Sequence, residues 1–178
     1  VIANFPLVSF ILPTKRIETE LFSELWVLGP EHLISAYPFN IAVNKEVTLF
    51  VGVSNHLDSL AYYDVQVKLG NSTQLLPEKG KPSSLPPLRE FRFFLDNGEG
   101  WETKIDFTVL TASLTKSTIK QVSINGEVSQ VNYSTSWDSK NNGFYYHLFF
   151  ELWLYNVTLR QFEYHERFVY VKLNMTSN

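Results

Sequence analysis

Apolar side chains recur at every second position along much of this 178-residue chain, and this alternation limits its fold more than any other feature. Residues 46–54, 61–69, 89–95 and 101–109 each place apolar side chains on one side and mostly polar side chains on the other. A period of two is typical of β-strands that bury one face. We therefore predict a strand in each of these four segments.

Further strands are predicted towards both ends of the chain. The run 144–155 is apolar on one face and partly aromatic on the other, which is typical of a central strand covered on both sides. Residues 166–173 alternate and supply a partner for it. Residues 18–28 fit a helix or a strand, and we favour a strand because the surrounding segments are β. Asn125-Gly126 separates two alternating segments and predicts a hairpin.

These elements define a fold class and a domain organisation. About eight to ten short strands separated by turn residues predict an all-β chain, folded as an Ig-like or pilin-like β-sandwich with an extended N-terminal arm. We predict that residues 1–17 form the arm, with a candidate donor strand and a hinge, and that residues 18–178 form the sandwich. Residues 77–87 hold four of the eight prolines and predict a long exposed loop.

Composition excludes several classes of function. The chain has no cysteine, which excludes a thiol nucleophile, a disulfide scaffold and a cysteine–zinc site. A net charge of −3 and a pI of about 5.8 argue against a nucleic-acid partner, because such a partner needs a basic face. No phosphate-binding loop, zinc-protease motif or nucleophile elbow occurs.

The titratable residues do not form a recognisable catalytic or metal-binding set. The neutral metal ligands in the sequence are His32, His56, His147 and His165. His147 and Glu151 share a strand face but lie about 13 Å apart along it, too far to share a metal. Acidic pairs on single strands are interpreted as solvated faces, namely Glu102 with Asp106 and Glu163 with Glu166. We therefore predict no catalytic residue, no metal site, no cofactor apart from covalent N-glycans, and no enzymatic activity.

Four N-glycosylation sequons predict an exported protein. They begin at Asn71, Asn132, Asn156 and Asn174, whereas chance would give about two. We expect Asn71 and Asn174 to be exposed, Asn132 to lie in a polar loop, and Asn156 to be partly buried. With no cysteine, this pattern predicts an extracellular, cell-surface protein from which a signal segment has been removed. The apolar residues 1–12 are too few for a membrane span, which needs about 20, so no membrane span is predicted.

The N-terminal arm is the most informative segment for function. Its apolar positions share one face and then change face at Ser9, before a polar hinge at residues 13–16. The candidate donor-strand residues are Val1, Ala3, Phe5, Leu7, Val8, Phe10 and Leu12. One interpretation is a first strand folded onto its own sandwich. The other is donor-strand complementation, in which the arm fills a groove in a neighbouring subunit. Such a head-to-tail contact does not close and generates a filament.

The four tryptophans are candidate sugar-stacking groups. We interpret Trp101 and Trp153 as core residues from the strand pattern. Trp137 lies in a polar stretch and is the better candidate for an exposed aromatic side chain.

Several runs resemble a known family. They are 23–31 (SELWVLGPE), 37–40 (YPFN), 51–56 (VGVSNH), 63–67 (YDVQV) and 100–102 (GWE). Over residues 18–110, and more loosely over 148–173, the chain resembles the extracytoplasmic β domain of an archaeal family of unassigned function, usually anchored by membrane helices. It departs from that family in lacking the helices and in an apparent insert at residues 111–143.

The arm and the sequons make the chain similar to the subunit of the archaeal thread, a glycosylated surface filament joined by donor strands. That resemblance implies a structural, pilus-like role, with other copies of the chain as partners and a surface or glycan as the adhesion target. The alternative is a membrane-anchored or S-layer-associated ectodomain that binds protein or glycan and packs the arm on its own core.

Overall fold

A computed structural model describes residues 20–71, 76–115 and 117–176. The predicted arm, residues 1–17, and its donor-strand residues lie outside the described residues. No helix in the described ranges is long and apolar enough to cross a membrane.

The described chain is an all-β sandwich, as the alternation predicts. Its strands are β1 (Phe22–Leu28), β2 (Asn40–Ile41), β3 (Glu46–His56), β4 (Ala61–Asn71), β5 (Arg89–Leu95), β6 (Gly100–Ala112), β7 (Thr118–Ile124), β8 (Glu127–Ser134), β9 (Tyr145–Asn156) and β10 (Gln161–Met175). The first sheet has the order β1-β3-β6-β7-β8, and the second has the order β2-β10-β9-β4-β5. All pairs are antiparallel except β2 with β10, which is parallel.

The core lies between the two sheets and consists of the inward-facing half of each alternating strand. Leu49, Val51 and Val53 of β3 are fully buried, as are Phe150 and Leu152 of β9. Full burial of a side chain of this kind stabilises a protein by about 1.5–3 kcal/mol. The central position predicted for the 144–155 strand is confirmed, because β9 lies between β10 and β4.

The ambiguous segment and the hairpin both form as predicted. Phe22–Leu28 is a strand, paired antiparallel to β3. Asn125 and Gly126 have φ angles of 50° and 80°, which are the left-handed values that a two-residue hairpin turn requires. The resulting β7–β8 hairpin lies within the apparent insert at residues 111–143 and extends the first sheet.

The strands of the sandwich run between two ends, and each end holds a different set of turns and loops. We call the end at which the chain enters β1 the proximal pole; it holds the turns 57–60, 96–99 and 157–160. The opposite end, the distal pole, holds residues 42–45, 113–115 and 135–144. Strand register fixes this arrangement, because Phe22 pairs with His56 and Tyr63 pairs with Leu154 at the proximal side.

The long exposed loop predicted at residues 77–87 forms without a named strand, but it is not exposed throughout. The segment 76–88, here called the strap, contains no named strand, but Pro77 is buried. Ser83 bonds to two buried charged side chains, Lys68 on β4 and Glu151 on β9. The strap therefore covers part of the outer face of the second sheet.

Gly52 on β3 should not tolerate a side chain. It pairs with Trp26 on β1, and a Cβ atom there would overlap the Trp26 indole. We expect Gly52→Ala to lower the free energy of unfolding by about 1–3 kcal/mol, the usual cost of overpacking. Chemical denaturation measures it.

Gly100→Ala is the matched control, because its added methyl group would meet only the Val53 carbonyl oxygen at 3.7 Å. If both variants lost the same free energy of unfolding, overlap with the Trp26 indole would not be the cause of the loss.

Candidate functional site

The margins of the two sheets are the candidate site, because a free strand edge can pair with another chain. β1 and β8 are at the margins of the first sheet, and β5 is at one margin of the second. At the other margin, β2 pairs with β10 only at Asn174 and Met175. Within the described residues, no strand pairs with the outer edge of β10 from Gln161 to Leu173.

The free edge of β10 after its bulge carries less charge than the β5 edge. Natural edge strands usually carry charged residues or bulges that prevent pairing with other chains. β5 carries Arg89, Glu90 and Arg92, and Arg89 forms an ion pair with Glu127 at the start of β8. Residues 168–173 of β10 hold one charged side chain, as do the marginal strands β1 and β8. Charge therefore protects this stretch less than it protects β5.

A network of polar side chains, in which Ser23, Asn55 and Tyr63 are buried, joins β1 to the second sheet beside that edge. The Ser23 hydroxyl lies 2.7 Å from the Tyr63 hydroxyl and 3.0 Å from His165 Nε2. The Tyr63 hydroxyl donates to Asn55 Oδ1 at 3.1 Å, and Arg167 Nε donates to the Ser23 carbonyl at 3.3 Å. We call this contact between β1 and β10 the seam.

Burial favours the neutral forms of two groups of the seam, His165 and Tyr63. It lowers the pKa of His165 below its usual value, and the nearby charge of Arg167 lowers it further. Burial also raises the pKa of the Tyr63 phenol, an effect that the bond to Ser23 partly offsets. The imidazole is thus uncharged and the phenol protonated at neutral pH, as a hydrogen-bonded contact between two sheets requires.

The seam is open beside these polar bonds. Leu25 of β1 and Val169 of β10 pack against the core and are only partly buried. A cleft of about 520 Å³ runs along residues 22–26 of β1 and reaches Arg167. An apolar rim next to unpaired backbone groups is suited to binding an extended strand.

A bulge limits the edge on its proximal side. The register of β10 against β9 shifts between Tyr164 and Arg167, and Glu166 has a φ of 54°. Since a bulge twists a strand and interrupts its pairing, regular strand addition would begin after Glu166.

The sequence analysis missed the buried ion pair between Lys68 and Glu151. Their Nζ and Oε2 atoms lie 2.7 Å apart, and both side chains are almost fully buried. Glu151 also accepts hydrogen bonds from the Ser83 backbone at 2.7 Å and from the Trp153 indole at 3.2 Å. Glu151 is the only charged residue in the apolar run 144–155, and such an isolated charge is the signal that indicates a buried partner.

The remaining candidate residues lie apart. Glu102 accepts bonds from Trp26 and His32 on the outer face of the first sheet, whereas Glu163 bonds to Asn156 near the proximal pole. In the described ranges, no group of three or more His, Asp or Glu side chains is arranged to hold a metal. Trp137 is 51% exposed, as expected, and meets Phe144 edge to face.

The structure differs from the prediction at two of the four sequon asparagines, in exposure at Asn174 and in location at Asn132. Asn174 is 9% exposed, and its Nδ2 donates to Asn40 Oδ1 at 3.1 Å, because β10 continues through Met175. Asn132 is exposed but lies on the marginal strand β8 and not in a loop. Asn156 is partly buried, as expected, and Asn71 ends β4 with its amide donating to the Ser134 carbonyl.

Removing one partner of the Lys68–Glu151 pair should destabilise the fold strongly. Lys68→Met leaves a buried carboxylate without its cation, and we expect the free energy of unfolding to fall by about 3–5 kcal/mol. The double variant Lys68→Met/Glu151→Leu should recover most of this loss. Chemical denaturation measures both.

Lys104→Met is the control, because it removes one partner of a partly exposed pair, Lys104 with Asp106, and should change stability little. A Lys68→Met variant as stable as the parent would show that the buried pair does not hold the strap in place.

We expect the fraction of each sequon asparagine that carries a glycan to follow the exposure of its side chain. We expect glycan on Asn132 and less or none on Asn174, because a modified Asn174 amide could not fit in its buried site beside Asn40 and Gly143. Site-resolved mass spectrometry of the protein from its native source measures the occupancy, with Asn132→Gln as the control for peptide assignment. Full occupancy of Asn174 would contradict the arrangement of the β10 end.

Comparison with solved structures gives likenesses to small parts of larger proteins. A β-glucosidase from Listeria innocua in complex with isofagomine is 11% identical, with a TM-score of 0.43 over 87% of this chain and 16% of that chain. A GH3 β-glucosidase from Bifidobacterium adolescentis is 16% identical, with a TM-score of 0.34 over 85% of this chain and 17% of that chain. The chain thus spans about a sixth of their length, and these likenesses carry no inference about activity. No curated protein sequence matches.

A family model gives the informative match. The model described as a domain of unknown function, DUF1616, matches residues 16–118. That range includes β1 to β6 and agrees with the 18–110 range over which the sequence resembles a family of unassigned function. Since the match covers more than half of the chain, the protein belongs to the DUF1616 family.

Proposed function

We propose that this protein is the structural subunit of a surface filament that polymerises head to tail by strand addition. The arm of one copy would pair with the free edge of β10 in the next. The observation that carries the proposal is this unpaired, weakly charged edge beside the partly exposed side chains of Leu25 and Val169.

The dimensions of the arm and the edge are compatible. Residues 167–173 form an edge of about 23 Å, and a strand of twelve residues spans about 40 Å. The arm therefore has enough residues to pair along the whole edge. Main-chain hydrogen bonds would supply affinity and the alternating apolar side chains of the arm would supply register, as in other cases of strand addition.

The mode of addition differs from the one expected from the sequence. Donor-strand complementation fills a gap left by a missing strand, but here five strands in each sheet already enclose the core. The arm would instead extend the second sheet at its margin. A subunit of this kind would fold before it assembles.

Location and modification belong to the same proposal. The filament would stand outside the cell, resemble the archaeal thread, carry N-glycans and act in adhesion to a surface or glycan. It would have no enzymatic activity and no cofactor. The open seam and the exposed Asn132 support this proposal.

The second candidate is an anchored or S-layer-associated ectodomain that binds protein or glycan. The enclosed core favours it, because the described sandwich needs no neighbour to complete it. In this case the arm would pair with the β10 edge of its own chain. The two candidates therefore predict the same contact within one chain or between two.

A charge at the seam should block assembly. Val169→Lys puts an ammonium group on the inward face of the β10 edge, and we expect filaments to be lost in electron micrographs. Tyr170→Lys is the matched control, because Tyr170 is on the opposite face and 46% exposed; it should assemble normally. Thermal unfolding checks that both variants fold. Equal assembly of the two variants would contradict strand addition at this edge.

Disulfide cross-linking distinguishes the two candidates. Because the chain has no native cysteine, only the introduced cysteines can form disulfides. A Phe5→Cys chain is mixed with a Val169→Cys chain under assembly conditions and then oxidised. Pairing between copies gives a disulfide-linked dimer of the two chains. If a chain carrying both cysteines forms only an internal disulfide and the mixture gives no dimer, the filament proposal is wrong.

A further inference from the structure

The proximal pole exposes apolar side chains at its turns. Leu60, Val157 and Leu159 are exposed there, with Val157 at 79%. Single exposed apolar residues are ordinary on a protein surface. These three, however, lie in two turns of the proximal pole. The described residues begin at the same pole, just before β1.

The distal pole exposes a second apolar group on different elements. Leu114, in the turn after β6, is fully exposed, and Trp137 in the loop before β9 is half exposed. A backbone hydrogen bond from Thr135 to the Ser117 carbonyl holds these two segments together. The molecule thus presents a distinct apolar group at each end.

The two poles also differ in charge. Among the described residues, the proximal segments carry four exposed carboxylates and one cation, namely Glu20, Asp58, Asp96, Glu99 and Arg160. The described distal turns and adjoining strand ends carry four exposed lysines and two carboxylates, namely Lys45, Lys120, Lys140, Lys172, Glu46 and Asp138. The described residues thus make one end net negative and the other net positive.

From this complementarity we infer that the occupant of each pole is a second copy of this chain, with the proximal pole of one copy seated on the distal pole of the next. The inference rests on the proposed function in one respect, because it assumes that the arm of one copy reaches β10 of the next copy across this contact. Two proximal poles would oppose carboxylates, and like charges at an interface cost several kcal/mol. Because the two surfaces differ, the contact does not close and builds an open chain.

The contact fixes the direction of the added strand. The arm would leave one copy at the proximal pole of that copy. This pole would lie against the distal pole of the next copy. Residues 12 to 1 of the arm would then run along the neighbouring β10 from the distal towards the proximal side. Since β10 itself runs from proximal to distal, the arm lies parallel to it, in the same sense as β2 at Asn174 and Met175.

Charge reversal tests the contact. Glu20→Lys/Asp96→Lys reverses the proximal pole, and Lys45→Glu/Lys140→Glu reverses the distal pole. Each double variant should place like charges together and lower the polymerised fraction about tenfold at low ionic strength. The quadruple variant reverses the charge of both poles, so opposite charges face each other again. It should regain most of the polymerised fraction of the parent chain. Light scattering measures polymer mass, and electron micrographs show its length.

Lys104→Glu is the control, because it reverses a charge on the outer face of the first sheet, at a position that pairs with Phe50 and lies away from both poles and from the β10 edge. It should assemble normally. A control as defective as the pole variants, or a quadruple variant no better than the doubles, would overturn the inference. So would normal assembly of both double variants.

A chain lacking residues 1–12 separates this inference from the proposed function. If the truncated chain polymerises like the parent, strand addition by the arm is wrong. If it fails to polymerise while both pole variants assemble normally, strand addition stands and the pole contact is wrong. Thermal unfolding of every variant confirms that it is folded before assembly is compared.

Discussion

The hydrogen bond between the hydroxyl groups of Ser23 and Tyr63 joins the two sheets where the chain enters the sandwich. It fixes β1 beside β10, with His165 and Arg167 bonded to the same serine. β1 itself pairs with β3 over seven residues, and within the described residues the β10 edge beside it has no strand partner. A polar contact between sheets is stable only when all its groups are paired, and the neutral imidazole of His165 meets this condition. The arrangement of β1 next to β10 therefore includes this contact.

Much of the fold follows from local pattern. Residues 89–95 form β5 with the predicted bounds, and Asn125-Gly126 forms the predicted turn, because alternation and turn chemistry are properties of neighbouring residues. The seam and the Lys68–Glu151 pair join residues far apart in sequence, so no local pattern contains them. Asn174 shows the same limit: its burial depends on pairing with β9 and on the side chain of Asn40.

Two features of the described chain oppose uncontrolled assembly. Charged residues protect the β5 edge, and an exposed asparagine within a sequon lies on β8. A glycan there would shield the margin of the first sheet from other strands. Protection of these two margins would reduce pairing away from β10 and favour ordered growth over aggregation.

The pairing of β1 with β3 extends over seven residue pairs. In a filament joined by the arms, a pulling force would enter a copy at β10 and leave it through its own arm at the start of β1. The force would act on the β1–β3 ladder parallel to its strands, so its hydrogen bonds would be strained together, unlike those of a hairpin peeled from its end. This strand pair would therefore be a main mechanical element of the chain, and resistance to tension would depend on its rate of forced unfolding.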